Sequence, residues 1–148
     1  MANKVETLVA SSPIKCPADK FYNFFKFNLT DIVKIFPAVY KTAEVIQGEL
    51  GVVGCITVWS YTIGGIGMGM KVLTEVVDDA TKTIKLTVLE GDVLLLYKSF
   101  ACTLTVSEGL GKWTIEYEKT TILSPPPEIY VPVLVTLLTL VDAFLLIN

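Results

Sequence analysis

Tyr61, Lys98 and Tyr117 are the side chains of this 148-residue chain whose type and placement suit chemistry in an apolar interior. A buried phenol can donate a proton or a hydrogen bond to a developing oxyanion. Lys98 shares strand parity with Phe100, Cys102 and Leu104, so without an intervening bulge its ammonium points to the interior or its rim. There a desolvated amine serves as a base or forms an imine with an aldehyde. The plainer expectations are a lysine snorkelling from a strand end and tyrosines that only satisfy a neighbour.

The rest of the inventory excludes more than it offers. Every one of the 12 basic residues is lysine, and histidine is absent. Bidentate guanidinium recognition, Ser-His-Asp and Cys-His nucleophiles and histidine-ligated metals therefore fall away. Cys16, Cys55 and Cys102 are odd in number and far apart, which suggests neither a disulfide framework nor a zinc site and fits a reduced compartment, and Cys55 and Cys102 read as small core residues. Glu116 and Glu118 fall on the polar side of their strand, and Asp78, Asp79 and Asp92 read as turn residues. The net charge is −3 with no basic stripe, so nucleic acid is not an expected partner. No cofactor is expected. The first residues lack the apolar run of a secretory signal, which makes cytoplasmic the expected location.

Residues 48–63 read GELGVVGCITVWSYTI. Glycine loops cradle phosphates when they open a helix, whose N-terminal amides face the anion. Gly48, Gly51 and Gly54 open a strand instead, which predicts a tight loop between two antiparallel strands.

The elements that must position these residues follow from pattern. Residues 5–14 read as a first strand. Pro17 favours the start of a helix through residue 27 with Phe21, Tyr22, Phe24 and Phe25 as its aromatic side, and a short helix over 30–36 has Thr30 as its N-cap. Strand signals follow over 39–47, 55–63, 70–77, 83–89, 97–106 and 112–121, with Ile66, Gly67, Met68 and Gly69 as a flexible run after the Gly64-Gly65 turn. The last apolar segment, Tyr130–Ile147, has the length of a membrane span. Asp142 well inside it, Pro132 near its start and a polar stripe of Thr136, Thr139 and Asp142 point instead to a helix buried on most sides with that stripe in water. The chain is expected to be one α+β domain over residues 1–148, with no integral membrane span.

Alternation puts Thr57, Trp59, Tyr61 and Ile63 on one face of their strand. It does the same for Ile84, Leu86 and Val88, and for Trp113, Ile115 and Tyr117. A curved sheet carrying these residues closes on itself as a core or encloses an aromatic-lined cavity, and periodicity leaves both open. The composition is unusually apolar, 52% hydrophobic against 18% charged, so excess apolar surface must meet an interior, a membrane or a partner.

Five segments in order carry a resemblance: CPADKFYNFFK, the glycine loop into VWSYTIGG, DDATKTIKLTVLEGD, LYKSF, and KWTIEYEK before the proline run. They resemble the major latex protein family, a plant branch of the superfamily of the birch pollen allergen and the class-ten pathogenesis-related proteins. The resemblance implies the START-like helix-grip fold: a seven-stranded curved antiparallel sheet around a long C-terminal helix, two short helices after the first strand, and a large internal cavity. Carried over, the cavity wall comprises Thr57, Trp59, Tyr61, Ile84, Leu86, Val88, Ile115 and Tyr117, joined by Phe100 and Trp113 from the alternation above. The family is similar in binding hydrophobic plant metabolites, and some relatives cyclise or isomerise alkaloid or terpenoid intermediates without a cofactor. The chain departs from it at Leu50, Ile66, Leu95, Leu96, Ala101, Leu110 and Ile147, where charged or polar residues are usual.

Three expectations follow. The first is a carrier or sensor holding a small hydrophobic metabolite. The second is a cofactor-independent cyclase or isomerase of specialised metabolism, with Tyr61, Lys98 and Tyr117 as its chemical groups and confinement lowering the barrier. The third is a protein-partner or signalling module, with weak self-association through surface leucines.

Overall fold

The computed structural model describes residues 4–148. Strand β1 (Val5–Pro13) leads into helix α1 (Ala18–Phe27), a 3-10 turn at Leu29–Asp31 and the single-turn α2 (Ile32–Ile35). Strands β2 (Tyr40–Gln47), β3 (Ile56–Ile63), β4 (Ile66–Asp78), β5 (Thr83–Gly91), β6 (Tyr97–Ser107) and β7 (Leu110–Lys119) precede the closing helix α3 (Tyr130–Ile147). The strands form one antiparallel sheet in the order β1-β7-β6-β5-β4-β3-β2. Register shifts between β2 and β3, β4 and β5, and β6 and β7 mark bulges, which bend a sheet and add twist.

The glycine loop is a strand connection, as its place before β3 requires. Gly48, Gly51 and Gly54 all take positive φ, and a Cβ on Gly51 would stand 3.1 Å from the Phe27 ring. Residues 66–69 are strand rather than flexible loop. Gly67 and Gly69 pair with Thr62 and Ser60 of β3, and the Gly69 amide donates to the Asp92 carboxylate at 2.7 Å. Asp92 thus fastens the start of β4 as well as standing in a turn.

The expected Thr30 cap is not made: the 3-10 turn occupies that position, and α2 begins at Ile32 without a side-chain cap. The aromatic side of α1 is buried as its spacing predicts, and the Tyr22 hydroxyl donates to Asp79 at 2.7 Å, tying α1 to the turn after β4.

Helix α3 has the length and apolarity of a membrane span, yet it is the core helix of the fold. Leu134, Leu137, Leu138, Val141 and Leu145 are buried in the sheet's concavity. Asp142 corrects the expectation of a watered stripe. It is buried and accepts the backbone amides of Lys15 and Cys16 at 2.9–3.0 Å. Thr139, one turn earlier, pairs with Ser12 at 3.2 Å. The charge inside the apolar segment is therefore a fastening between α3 and the end of β1, satisfied by donors that burial would otherwise orphan.

Candidate ligand cavity

Between the concave face and α3 lies a cavity of about 80 Å³. On the scale where one water needs about 10–15 Å³, this is room for about five to eight waters, or a compact guest of roughly one ring. It is smaller than the large cavity expected, because aromatic side chains take up the space. Tyr40 lies edge-on to Trp59 with ring centroids 5.8 Å apart, and Phe100 and Tyr130 stand 5.2 Å apart.

The strands build the wall by alternation. Trp59 and Tyr61 enter from β3, Leu86 and Val88 from β5, Phe100 from β6 and Trp113 from β7, and all six line the cavity. Four other expected wall residues lie outside it. Thr57 is 2% exposed and accepts the Trp59 indole N–H at 2.7 Å, so it orients that ring from behind. Ile84 and Ile115 are buried in the hydrophobic core. Tyr117 packs against the Tyr97 ring, with centroids 5.5 Å apart.

Lys98 is turned out of the interior. The register of β6 on β7 shifts between Tyr97 and Ser99, so Tyr97 and Phe100 are buried while Lys98 is exposed. Strict alternation put Lys98 with Phe100; the extra residue at the bulge reverses its side.

Among the further residues that line the cavity, Cys102 follows from its parity with Phe100 on β6, whereas Tyr40 begins β2 and Tyr130 opens α3, element starts where alternation says nothing. The Tyr61 and Tyr130 hydroxyls are 2.7 Å apart, a bond between β3 and α3 across the cavity.

Every titratable group in this wall is held in its neutral form near pH 7. Burial pushes the Cys102 thiol up to about 12. It also raises Tyr40, Tyr61 and Tyr130, the bond from its partner offsetting part of the effect at Tyr61. The wall is therefore apolar, aromatic and uncharged, with hydroxyl, thiol and indole groups as its polar points.

At one end of the molecule the surface is also apolar. Ile122 and Leu123, at 84% and 88% exposure, share a loop joined to the Asp92–Leu95 turn by the Thr120 amide, which donates to the Leu96 carbonyl at 3.1 Å. Leu95 and Leu96, Ile66 at the start of β4 and Ile129 just before α3 are also exposed.

A sheet curved over one long helix, with an apolar cavity between them, defines the helix-grip class. The chain belongs to the Pathogenesis-related protein Bet v 1 family, whose model matches residues 3–148. It is similar to Major latex protein 146 of Papaver somniferum, 36% identical over 129 residues that cover 83% of this chain and 80% of that protein. MLP-like protein 43 of Arabidopsis thaliana is 36% identical over 125 residues, covering 80% and 77%. Among solved structures, the major latex-like protein 151 of Panax ginseng superposes with a TM-score of 0.91 at 27% identity, over 95% of this chain and 97% of that one. Norcoclaurine synthase from Thalictrum flavum shares the fold at a TM-score of 0.80 and 18% identity, over 99% and 90%.

Proposed function

We propose that the protein binds a small hydrophobic metabolite of about one ring in the cavity between its sheet and α3. The observation that carries this reading is the wall itself: side chains from strands β2 to β7, joined by Tyr130 of α3, line a space that they do not fill. Such walls select by volume and by a few hydrogen bonds. A guest larger than one ring would require the Tyr40, Phe100 and Tyr130 rings to move.

Binding is favoured over catalysis by the chemistry of the wall. General acid–base work wants a group that titrates near the working pH, whereas Cys102, Tyr40, Tyr61 and Tyr130 are all raised. Lys98 and Tyr117 lie outside. A cyclase or isomerase would act through confinement and the Tyr61–Tyr130 hydroxyls. The norcoclaurine synthase of the same fold, crystallised with dopamine and hydroxybenzaldehyde, makes an aldehyde-consuming reaction the one to try.

Calorimetry with single-ring apolar probes is expected to give saturable one-to-one binding with a negative heat-capacity change. Incubation with a reactive dialdehyde is expected to protect it stoichiometrically without altering the product stereochemistry seen in buffer. A product ratio that changes over many turnovers overturns the carrier reading in favour of the enzyme. The exposed Ile122–Leu123 end supports weak self-association, which light scattering at rising concentration would register.

A further inference from the structure

Among the described residues, two fully buried side-chain polar atoms have no hydrogen-bond partner: Thr87 Oγ1 and Trp113 Nε1. Buried polar groups are almost always paired, because an unpaired one forfeits its bond to water and receives nothing in return. Thr87 alternates with Leu86 and Val88 and is not part of the cavity wall. Trp113 is part of that wall, and is only 3% exposed.

The contrast with the other tryptophan is informative. Trp59 stands in the same wall, but its indole N–H is taken by Thr57 at 2.7 Å. Residue 57 is a threonine two positions before Trp59 on the same face, and nothing corresponds to it around Trp113. The same-face neighbours on β7 are Gly111 and Ile115, and the cross-strand partners are Ala10 of β1 and Leu104 of β6. None has a side-chain acceptor. The Phe25 ring stands edge-on at 5.6 Å and fixes the indole without accepting a conventional hydrogen bond. The hydroxyls of Tyr61 and Tyr130 in the same wall satisfy one another.

We propose that the Trp113 indole N–H is a specificity determinant of the cavity, and that the guest is a single-ring apolar molecule carrying an acceptor oxygen, of the ketone or aldehyde class, which this N–H receives. The proposal rests on the cavity-binding reading above. The site offers a donor that is already desolvated, so a carbonyl gains a bond there that a hydrocarbon of the same shape does not. The N–H carries no charge, and burial keeps the one thiol of the same wall, Cys102, protonated, so the N–H orients the carbonyl rather than activating it.

The test uses two probes of nearly the same shape, acetophenone and α-methylstyrene, which differ in a carbonyl oxygen against a methylene. In the native protein labelled with 15N at tryptophan, the Trp113 indole resonance is assigned through its proximity to the Phe25 ring. It is expected to move downfield with acetophenone and to stay nearly still with α-methylstyrene, while the Trp59 resonance shifts little with either. In Trp113→Phe, the affinity ratio of ketone to hydrocarbon is expected to fall by roughly tenfold, the range of a hydrogen bond to a buried donor. If both probes bind the native protein while the Trp113 resonance responds alike to each, the proposal is overturned and cavity binding stands; the N–H then serves only the Phe25 ring. If neither probe binds, cavity binding fails and the proposal falls with it. The native-protein spectrum decides the matter even where Trp113→Phe does not fold.

Discussion

The hydroxyls of Tyr61, on β3, and Tyr130, on the first residue of α3, lie 2.7 Å apart. This bond joins the helix to the sheet at the wall of the cavity, so the same pair shapes the binding space and holds the helix end in place. Replacing either residue by phenylalanine leaves the other hydroxyl buried without its partner. Tyr61→Phe and Tyr130→Phe are each expected to cost about 1 kcal/mol, and the double variant less than their sum, because it leaves no orphan. Urea denaturation of the four proteins in a double-mutant cycle reads the coupling directly; strict additivity would show the two hydroxyls act independently.

Asp142 is the one charge within α3, and it gives stability a dependence on pH. Burial pushes its carboxyl up, but the Cys16 and Lys15 amides and the Cys16 thiol outweigh that, and the net shift is downward. A folded-state pKa below the unfolded one means stabilisation that is complete above the ordinary carboxylate range near ~4 and lost as pH falls through the folded value. Asp142→Asn is expected to cost roughly 2–4 kcal/mol at pH 7, since its amide donors face the amides of Lys15 and Cys16. The gap to the native protein is expected to close as pH drops below about 4. Thermal denaturation across pH 2.5–7 tests this, and a gap independent of pH would exclude the carboxylate as its source.

Gly91 ends β5 at φ 146, and a Cβ there would stand 2.5 Å from the Gly69 carbonyl oxygen and 2.8 Å from the Met70 Cα. Both obstacles are backbone, so nothing can rotate away. Gly91→Ala is expected to destabilise by roughly 2–4 kcal/mol, combining the strained φ with the collision. By contrast Gly65→Ala meets open space and suffers only its positive φ of 79, so it is expected to cost about 1 kcal/mol. Comparable losses in the two variants would contradict the steric account.

Much of this architecture is legible in the residues. Strand alternation set Trp59 and Tyr61, Leu86 and Val88, and Trp113 on the concave face, because a period of two is imposed by the backbone wherever a strand is regular. It failed where the strand is not: the bulge at Lys98 reverses parity, and no local signal marks a bulge. It also could not separate wall from core. Ile115 shares a face with Trp113 but is buried elsewhere, since which inward residues meet the helix and which meet the void depends on how α3 lies. The role of Asp142 is hidden from local pattern for a related reason, as its partners are the amides of Lys15 and Cys16, more than a hundred residues away in the chain. The glycines of residues 66–69 looked like breakers, yet pairing with β3 overrode their weak strand preference.

The claim on which the functional reading depends is that a guest enters the space between sheet and helix. Titrating methyl-labelled protein with α-methylstyrene and following the methyl resonances tests it most directly. Saturable shifts at Leu86, Val88, Val93, Leu134 and Leu137, in the cavity wall, are the expected result. Shifts confined to the exposed Leu95, Ile122 and Leu123, or growing linearly without saturation, would contradict it.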